Sequence, residues 1–308
     1  MKKIAIMHPR EQLSSEQVRK LGFAGEVQYL EQGKESLKDM IRIAKDAEFI
    51  GYSPSKVGKG SGYALTQILA KAPNVKGVAF DTPSMDCIDK TYVEERGIRV
   101  FTIKDFDGEA VAESTIAHIF NAGLRIHINE RRTFRRRYVE EVGSELRGQT
   151  LGILGMQQAG DRVADIALTM GMTVLTWDKE KTRKAEVQRG DLGSVLAQAD
   201  YLAILLPNTD EYEKFLSKEW IGWLNSGTKV INMAGRRIVD EKAMSEALKQ
   251  GRVDQYIFEG DTIGKSPLGG IETAIMLKPF STLTKQTEVR RKNAWVKAVA
   301  DLSGHFSS

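Results

Sequence analysis

The run Gly155-Met156-Gln157-Gln158-Ala159-Gly160 is spaced for phosphate chemistry. It follows an apolar stretch, Thr150–Leu154, and precedes helical periodicity with Val163, Ile166, Ala167 and Met170 on one face. A dinucleotide-binding turn has the form G-x-G-x-x-G. The first glycine permits the tight turn, the second lets a pyrophosphate approach the backbone, and the third packs helix against strand. The first and third glycines are present, and Gln157 takes the middle place. Its side chain either fills the space a pyrophosphate needs or bonds to a phosphate from a slightly wider turn. An acid, Asp178, ends the next strand, 178 − 155 = 23 residues on, close to the roughly 20 expected of the residue that binds the adenosine ribose. A carboxylate there accepts a hydrogen bond from a 2′-hydroxyl and repels a 2′-phosphate, which favours NAD over NADP. Lys179, Lys181 and Arg183 weaken that preference. The competing reading is a strand–helix–strand unit with no nucleotide, which Gln157 strengthens.

Other groups have the right types for acid/base or anion chemistry. His8 sits just past the first strand, at the carboxyl end where open sheets bind ligands; it is a replacement proton donor or an ordinary loop residue. His118 lies beside Ile119 on a long helix and reads as a packing histidine, while His127 and His305 read as surface residues. Arg236 and Lys278 together suit an anionic ligand, against solvated charge as the plainer reading. Ser53–Ser61 is a glycine- and lysine-containing loop without the spacing of a P-loop. The arginine run 131–137 carries one aromatic, Phe134, and is flanked by Glu130, Glu140 and Glu141. It reads as interface or surface rather than nucleic-acid contact.

The elements that must position these groups alternate. Apolar runs predict strands at Ile4–Met7, Val27–Leu30, Phe49–Tyr52, Val75–Phe80 and Arg99–Phe101, with helical periodicity between them. Such alternation implies a parallel sheet covered on both faces. A long helix follows, from about Gly108 to Arg125, with Val111, Ile116, Ile119, Phe120 and Leu124. The alternation restarts at Leu151–Leu154 and continues through Thr173–Trp177, Tyr201–Leu206, Lys229–Asn232, Gln255–Phe258 and Ile275–Leu277, a six-strand doubly wound pattern. Glu288 to Leu302 reads as an amphipathic helix with Val289, Trp295, Val299 and Leu302.

The 308 residues suit two domains, and 41% hydrophobic content supplies their cores. Net charge is +4, with 45 basic against 41 acidic residues, which gives no argument for nucleic acid. Cys87 is the single cysteine, so neither an internal disulfide nor a cysteine metal cluster can form within one chain. A reducing, cytoplasmic location fits this usage. The apolar run at the start is too short for a signal peptide, and no stretch approaches the ~20 apolar residues that span a bilayer.

With these residues assembled, the chain resembles the D-isomer-specific 2-hydroxyacid dehydrogenases, over nearly its whole length. The markers are Met85-Asp86-Cys87-Ile88-Asp89 with Gly97-Ile98, Glu109–Glu113, Glu145–Gly148 running into Gly152–Gly155, and Ala199-Asp200. Further along come Pro207, Ile231–Ala234, Val239-Asp240 and Ser266–Leu268. The resemblance implies two Rossmann or flavodoxin-like domains, one inserted in the other with a cleft between. Residues 1–103 with 286–308 would form the substrate-type domain, and 104–285 the dinucleotide-binding domain. It places Gly155, Gln157, Gln158, Ala159, Gly160, Asp178, Pro207, Asn232 and Ala234 with NAD, and the 53–61 loop with substrate. It also implies a homodimer through the 108–137 helix and arm.

The resemblance also assigns an arginine clamp, a proton-carrying histidine and an orienting glutamate. Here the arginine position is Gly235, the histidine position is Phe280, and the glutamate falls near Glu259-Gly260-Asp261, with Asp261 at the best-matching position. Phenylalanine carries no proton, and glycine offers no bidentate grip on a carboxylate. Losing a general acid/base costs typically 10²–10⁴-fold in rate. Two expectations remain. One is a divergent NAD(P)-dependent oxidoreductase acting on a small anionic metabolite through Arg236, Asp261, His8 or Lys278. The other is a repurposed ligand-binding, sensing or partner protein. No metal site, membrane or nucleic-acid partner is expected.

Overall fold

A computed structural model describes residues 1–54, 64–83, 85, 88–178, 186–261, 264 and 266–304. Most of the 53–61 loop, Asp86, Cys87, Lys179, Lys181, Arg183 and His305 therefore lie outside the described residues. Contacts divide the chain into two units, Met1–Phe106 with Lys285–Ser308, and Asp107–Thr284. The first boundary falls later than 103 because Phe106 packs on the first unit's core and its carbonyl accepts from Arg290 Nε at 2.8 Å.

In the first unit, strands β1 (Lys3–Pro9), β2 (Glu26–Leu30), β3 (Phe49–Tyr52), β4 (Gly77–Phe80) and β5 (Arg99–Phe101) form one parallel sheet in the order β2-β1-β3-β4-β5. This is the flavodoxin-like order, with its switch point beside β1. Helices α1 (Ser15–Ala24), α2 (Leu37–Ala44), α3 (Ala64–Ala70) and α4 (Lys90–Glu95) connect the strands. Strands β3 and β4 are buried throughout, which is why they read as continuous apolar runs. The terminal helix belongs to this unit, with Trp295, Val296, Val299 and Leu302 buried on it. Val289 is a correction, being 57% exposed.

The second unit opens with α5 (Gly108–Leu124) and α6 (Ile126–Phe134), broken at Arg125, whose φ of 54° is left-handed. The arginine-rich segment is thus helical through residue 134, and Phe120 and Leu124 face solvent rather than core. Its sheet runs β12-β11-β10-β9-β6-β7-β8, all parallel, from β6 (Thr150–Leu154), β7 (Thr173–Trp177), β8 (Gln188–Arg189), β9 (Tyr201–Ile204), β10 (Thr228–Asn232), β11 (Val253–Glu259) and β12 (Ala274–Leu277). Six of these strands answer the predicted ones. The additional strand, β8, is two polar, exposed residues with no apolar signal to announce it. Helices α7 (Gln158–Thr169), α8 (Leu192–Gln198), α9 (Lys218–Trp223) and α10 (Glu241–Lys249) cover the sheet, and α11 (Lys285–Gly304) returns to the first unit. The order reverses between β6 and β9, the switch point at which open sheets bind ligands.

Candidate functional site

The phosphate turn leaves β6 at this switch point. Gly155 has φ +100°, and a Cβ there would meet the Leu205 backbone at 2.8 Å. A Cβ on Gly160 would meet the Gly155 carbonyl oxygen at 2.1 Å, so the helix can approach the strand only with glycine. Gln157 carries no such constraint. Its φ of −68° is ordinary for an L-residue, it caps the start of α7 from an extended conformation, and its side chain is exposed. No side chain caps α7, whereas Ser14, Ser36, Asp89, Asp191, Ser217 and Asp240 cap other helices. The first amides of α7 therefore receive no bond from their own N-cap side chain, and a helix start of that kind can bind phosphate.

Asp178 follows β7 and accepts from the Met156 amide, which braces the turn. Arg189 Nη2 donates to the Asp178 carbonyl at 2.7 Å. Asn232, at the end of β10, is buried and committed to structure. Its Nδ2 donates to the Gly235 carbonyl at 3.0 Å and to the Tyr256 hydroxyl at 2.9 Å, and its Oδ1 accepts from Ala234 N at 3.1 Å. Pro207 accepts from Thr209 N at 2.9 Å in the segment after β9. These residues fit a dinucleotide: a preserved turn, a helix start without a side-chain cap, and an acid at the end of the second strand.

The remaining candidates of this unit gather at the ends of β10, β11 and β12. Gly235 has φ +117°, and a Cβ there would meet Asn208 Nδ2 at 3.0 Å. Gly235 thus has a backbone conformation that disfavours a side chain. Arg236 reaches Glu241 with two bonds, Nε to Oε1 at 2.6 Å and Nη2 to Oε2 at 2.7 Å. It also lies over the Phe258 ring at 5.7 Å. Ser266 Oγ donates to the same carboxylate at 2.6 Å. The hydrogen bonds from Arg236 and Ser266 hold the Glu241 carboxyl below its usual pKa against the opposing effect of burial, which is the largest single influence. Lys278 donates to the Asp261 backbone carbonyl, and the Asp261 side chain is exposed.

Of the Glu259-Gly260-Asp261 run, Glu259 is the residue that bonds the segment at Phe280 and Ser281. Its Oε1 accepts from Phe280 N and Ser281 N, both at 2.9 Å, and its Oε2 accepts from Ser281 Oγ at 2.8 Å. Phe280 itself is 61% exposed. Strand phase was the signal available for Glu259, since Gln255, Ile257 and Glu259 share one face of β11.

His8 belongs to the first unit and lies inside β1, not past it. It is 1% exposed, with Nδ1 3.0 Å from the Pro9 carbonyl and its ring 5.8 Å from Trp295. Beside it at the sheet's carboxyl end is buried Asp81, which sequence reasoning missed. Asp81 accepts from Ser53 Oγ at 2.5 Å and pairs with Arg291. Burial pushes the Asp81 carboxyl up, opposed by Ser53 and Arg291. His127 is half-buried rather than on the surface. Among the described residues, no group of three or more His, Cys, Asp or Glu side chains could hold a metal, and no helix is long and apolar enough to cross a membrane.

Residues 116–269 match the model of the D-isomer specific 2-hydroxyacid dehydrogenase NAD binding domain. The chain belongs to that family. The matched region makes NAD(P) its cofactor. A glyoxylate reductase of Aeropyrum pernix is 29% identical over 240 residues, covering 72% of each chain. A D-3-phosphoglycerate dehydrogenase of Bacillus subtilis is 34% identical over 192 residues, 59% of this chain and 36% of that one. The chain thus spans well under half of that relative. A D-lactate dehydrogenase from Aquifex aeolicus, solved with NAD and lactic acid, superposes with a TM-score of 0.72 at 23% identity, covering 98% of this chain and 96% of that one. An acyclic imino acid reductase solved with NADPH and D-Arg gives 0.77 at 18%, covering 98% and 97%. These likenesses establish the two-domain, parallel-sheet fold.

Proposed function

We propose that the chain is a divergent NAD(P)-dependent oxidoreductase that works without the family's arginine and histidine. One observation carries this reading. The turn after β6 keeps its two constrained glycines and uncapped helix start, while Gly235 and Phe280 replace the groups that would grip a carboxylate and move a proton. Bound there, the cofactor would supply or accept a hydride. Gly155 and the amides of residues 157–160 would hold its phosphates and Asp178 its ribose, with NAD favoured over NADP. The substrate is a small anionic metabolite of the 2-oxo or 2-hydroxy acid class. Lys278, Asp261 and the Arg236 ion pair stand at the strand ends nearest Phe280.

Trp177 adjoins Asp178 and supplies a natural donor for fluorescence transfer to reduced cofactor. Titration with NADH and NADPH should give saturable transfer, tighter for NADH. No transfer up to millimolar cofactor would remove this reading.

The unit around α5 and α6 supports a homodimer. Phe120 is 41% exposed, Leu124 53%, Phe134 86%, Tyr138 87% and Val142 91%, an apolar run too dense for open surface. Phe120, Leu124, Leu146 and Met170 line an apolar cavity of about 390 Å³. Light scattering should give twice the chain mass, and Phe120→Asp should give the monomer.

A second reading, a repurposed ligand-binding or partner protein, is favoured by Arg236. The arginine nearest the lost clamp has both faces of its guanidinium fork committed to Glu241. Turnover of any 2-oxo acid by the full chain with NAD(P)H would count decisively against it.

A further inference from the structure

Glu259 is anchored at the residue where the family carries its histidine, by two amides and a hydroxyl. The strand that delivers it also fixes what faces it. Side chains alternate along β11, so Gln255, Ile257 and Glu259 point to one side. That side is α5. Gln255 Nε2 donates to the Ala122 carbonyl at 2.8 Å, and Ile257 shares a core cluster with Ile116 and Ile119. One step further on, Arg125 pairs with Asp254 at 2.8 Å.

These contacts set the direction of packing. Residue 125 lies by 254 and residue 122 by 255, so α5 runs antiparallel to β11, and its preceding turn lies by 257–259. His118 stands four residues before Ala122 and seven before Arg125, on the same helix stripe. Four helical residues rise about 6 Å. Two strand residues cover about 7 Å. His118 is therefore level with Ile257, two strand residues short of Glu259 on the face of β11 that α5 covers, and its ring is half-buried.

We propose that His118 and Glu259 form the proton-transferring pair of this site, with His118 doing from α5 what the family's histidine does from the position of Phe280. This rests on the oxidoreductase reading. On reduction of a 2-oxo acid, hydride from reduced nicotinamide reaches the carbonyl carbon, the C=O π pair moves to oxygen, and an N–H of the His118 imidazolium gives that oxygen its proton. His118 ends neutral. In the reverse direction the neutral ring takes the hydroxyl proton. The Glu259 carboxylate favours the imidazolium through its charge and accepts no proton in the step.

Three influences face the ring. Burial lowers its pKa most, Glu259 opposes that, and His127 on α6 lowers it further. His118 is thus neutral at neutral pH, the form that accepts a proton. Oxidation of the hydroxy acid should persist above the pKa of His118, and reduction should fall away there.

The test uses the full chain in two arms. Carbon-13 NMR of the histidine rings, assigned with His118→Gln, follows the His118 titration in wild type and in Glu259→Gln without cofactor. Loss of the carboxylate charge should lower that pKa by about one unit; an unchanged titration overturns the pair. NAD(P)H-dependent reduction of a panel of 2-oxo acids is the other arm. His118→Gln should lower kcat by about 10²–10⁴-fold with little change in KM and with the pH dependence abolished. Unchanged kcat and pH profile overturn the proposal, even though turnover would uphold the oxidoreductase reading. Wild-type chain that binds cofactor but turns over nothing removes the oxidoreductase reading and His118's catalytic part with it, while a shifted ring titration would still identify the ion pair.

Discussion

Gly155 and Gly235 end two strands of one sheet, β6 and β10, that flank β9 on either side. Both have left-handed φ, +100° and +117°, and both press on the chain as it leaves β9. Gly155 meets the Leu205 and Leu206 backbone, which cannot move without dismantling the sheet. Gly235 meets only the side chain of Asn208, which can swing away. The first glycine is demanded by its surroundings and belongs to the family's turn. The second stands at the position where the resemblance expects an arginine, and the contact around it is soft. The turn after β6 is held by backbone geometry, whereas the conformation at Gly235 faces a side chain that can yield.

The largest effect that separates the two should come from Gly155→Ala. Left-handed strain of about 1–2 kcal/mol adds to overpacking of about 1–3 kcal/mol. Denaturant unfolding should register the sum, and cofactor binding should be lost. On the substrate side, Glu241→Gln should cost about 1–3 kcal/mol by leaving Arg236 without its ionic partner in a half-buried place. Gly235→Ala should cost about 1–2 kcal/mol, strain alone, because Asn208 yields. A cost equal to that of Gly155→Ala would erase the distinction.

A smaller effect is expected with pH. Burial lowers the His118 pKa in the folded chain, with Glu259 opposing and His127 adding to the lowering. The unfolded chain, with a value near 6.5, then binds the proton first as pH falls. Stability should decline from about pH 6.5 downward to the folded pKa and level off below it. Thermal melts across that range should show the decline, and His118→Gln should flatten it.

Much of this comparison was legible in the sequence, for identifiable reasons. Parallel strands buried on both faces read as apolar runs, so β3, β4 and β9 were plain, whereas Gln188–Arg189 of β8 has no apolar residue to show it. The turn was legible because its glycines sit at fixed offsets. Glu241 on Arg236, Glu259 on Phe280 and Asp81 beside His8 were not, because each depends on tertiary neighbours. Asp261 matched the motif better by position, but β11 ends at Glu259, and it is the Glu259 carboxylate that bonds Phe280 N and Ser281. His8 was misplaced because β1 continues to Pro9, where a proline ends the hydrogen-bonding run without ending the strand.

The smallest and most telling change concerns the residue that made the turn look defective. Gln157 is exposed, has φ −68° and makes no side-chain cap at the start of α7, so it does not block the turn. Fluorescence-transfer titration with NADH, run on wild type and on Gln157→Gly, tests this directly. Saturable binding by both, with Kd values within tenfold of each other (about 1.4 kcal/mol), is the predicted result. Binding that appears only after Gln157→Gly would contradict the account, because it would show that the turn had been closed to the cofactor.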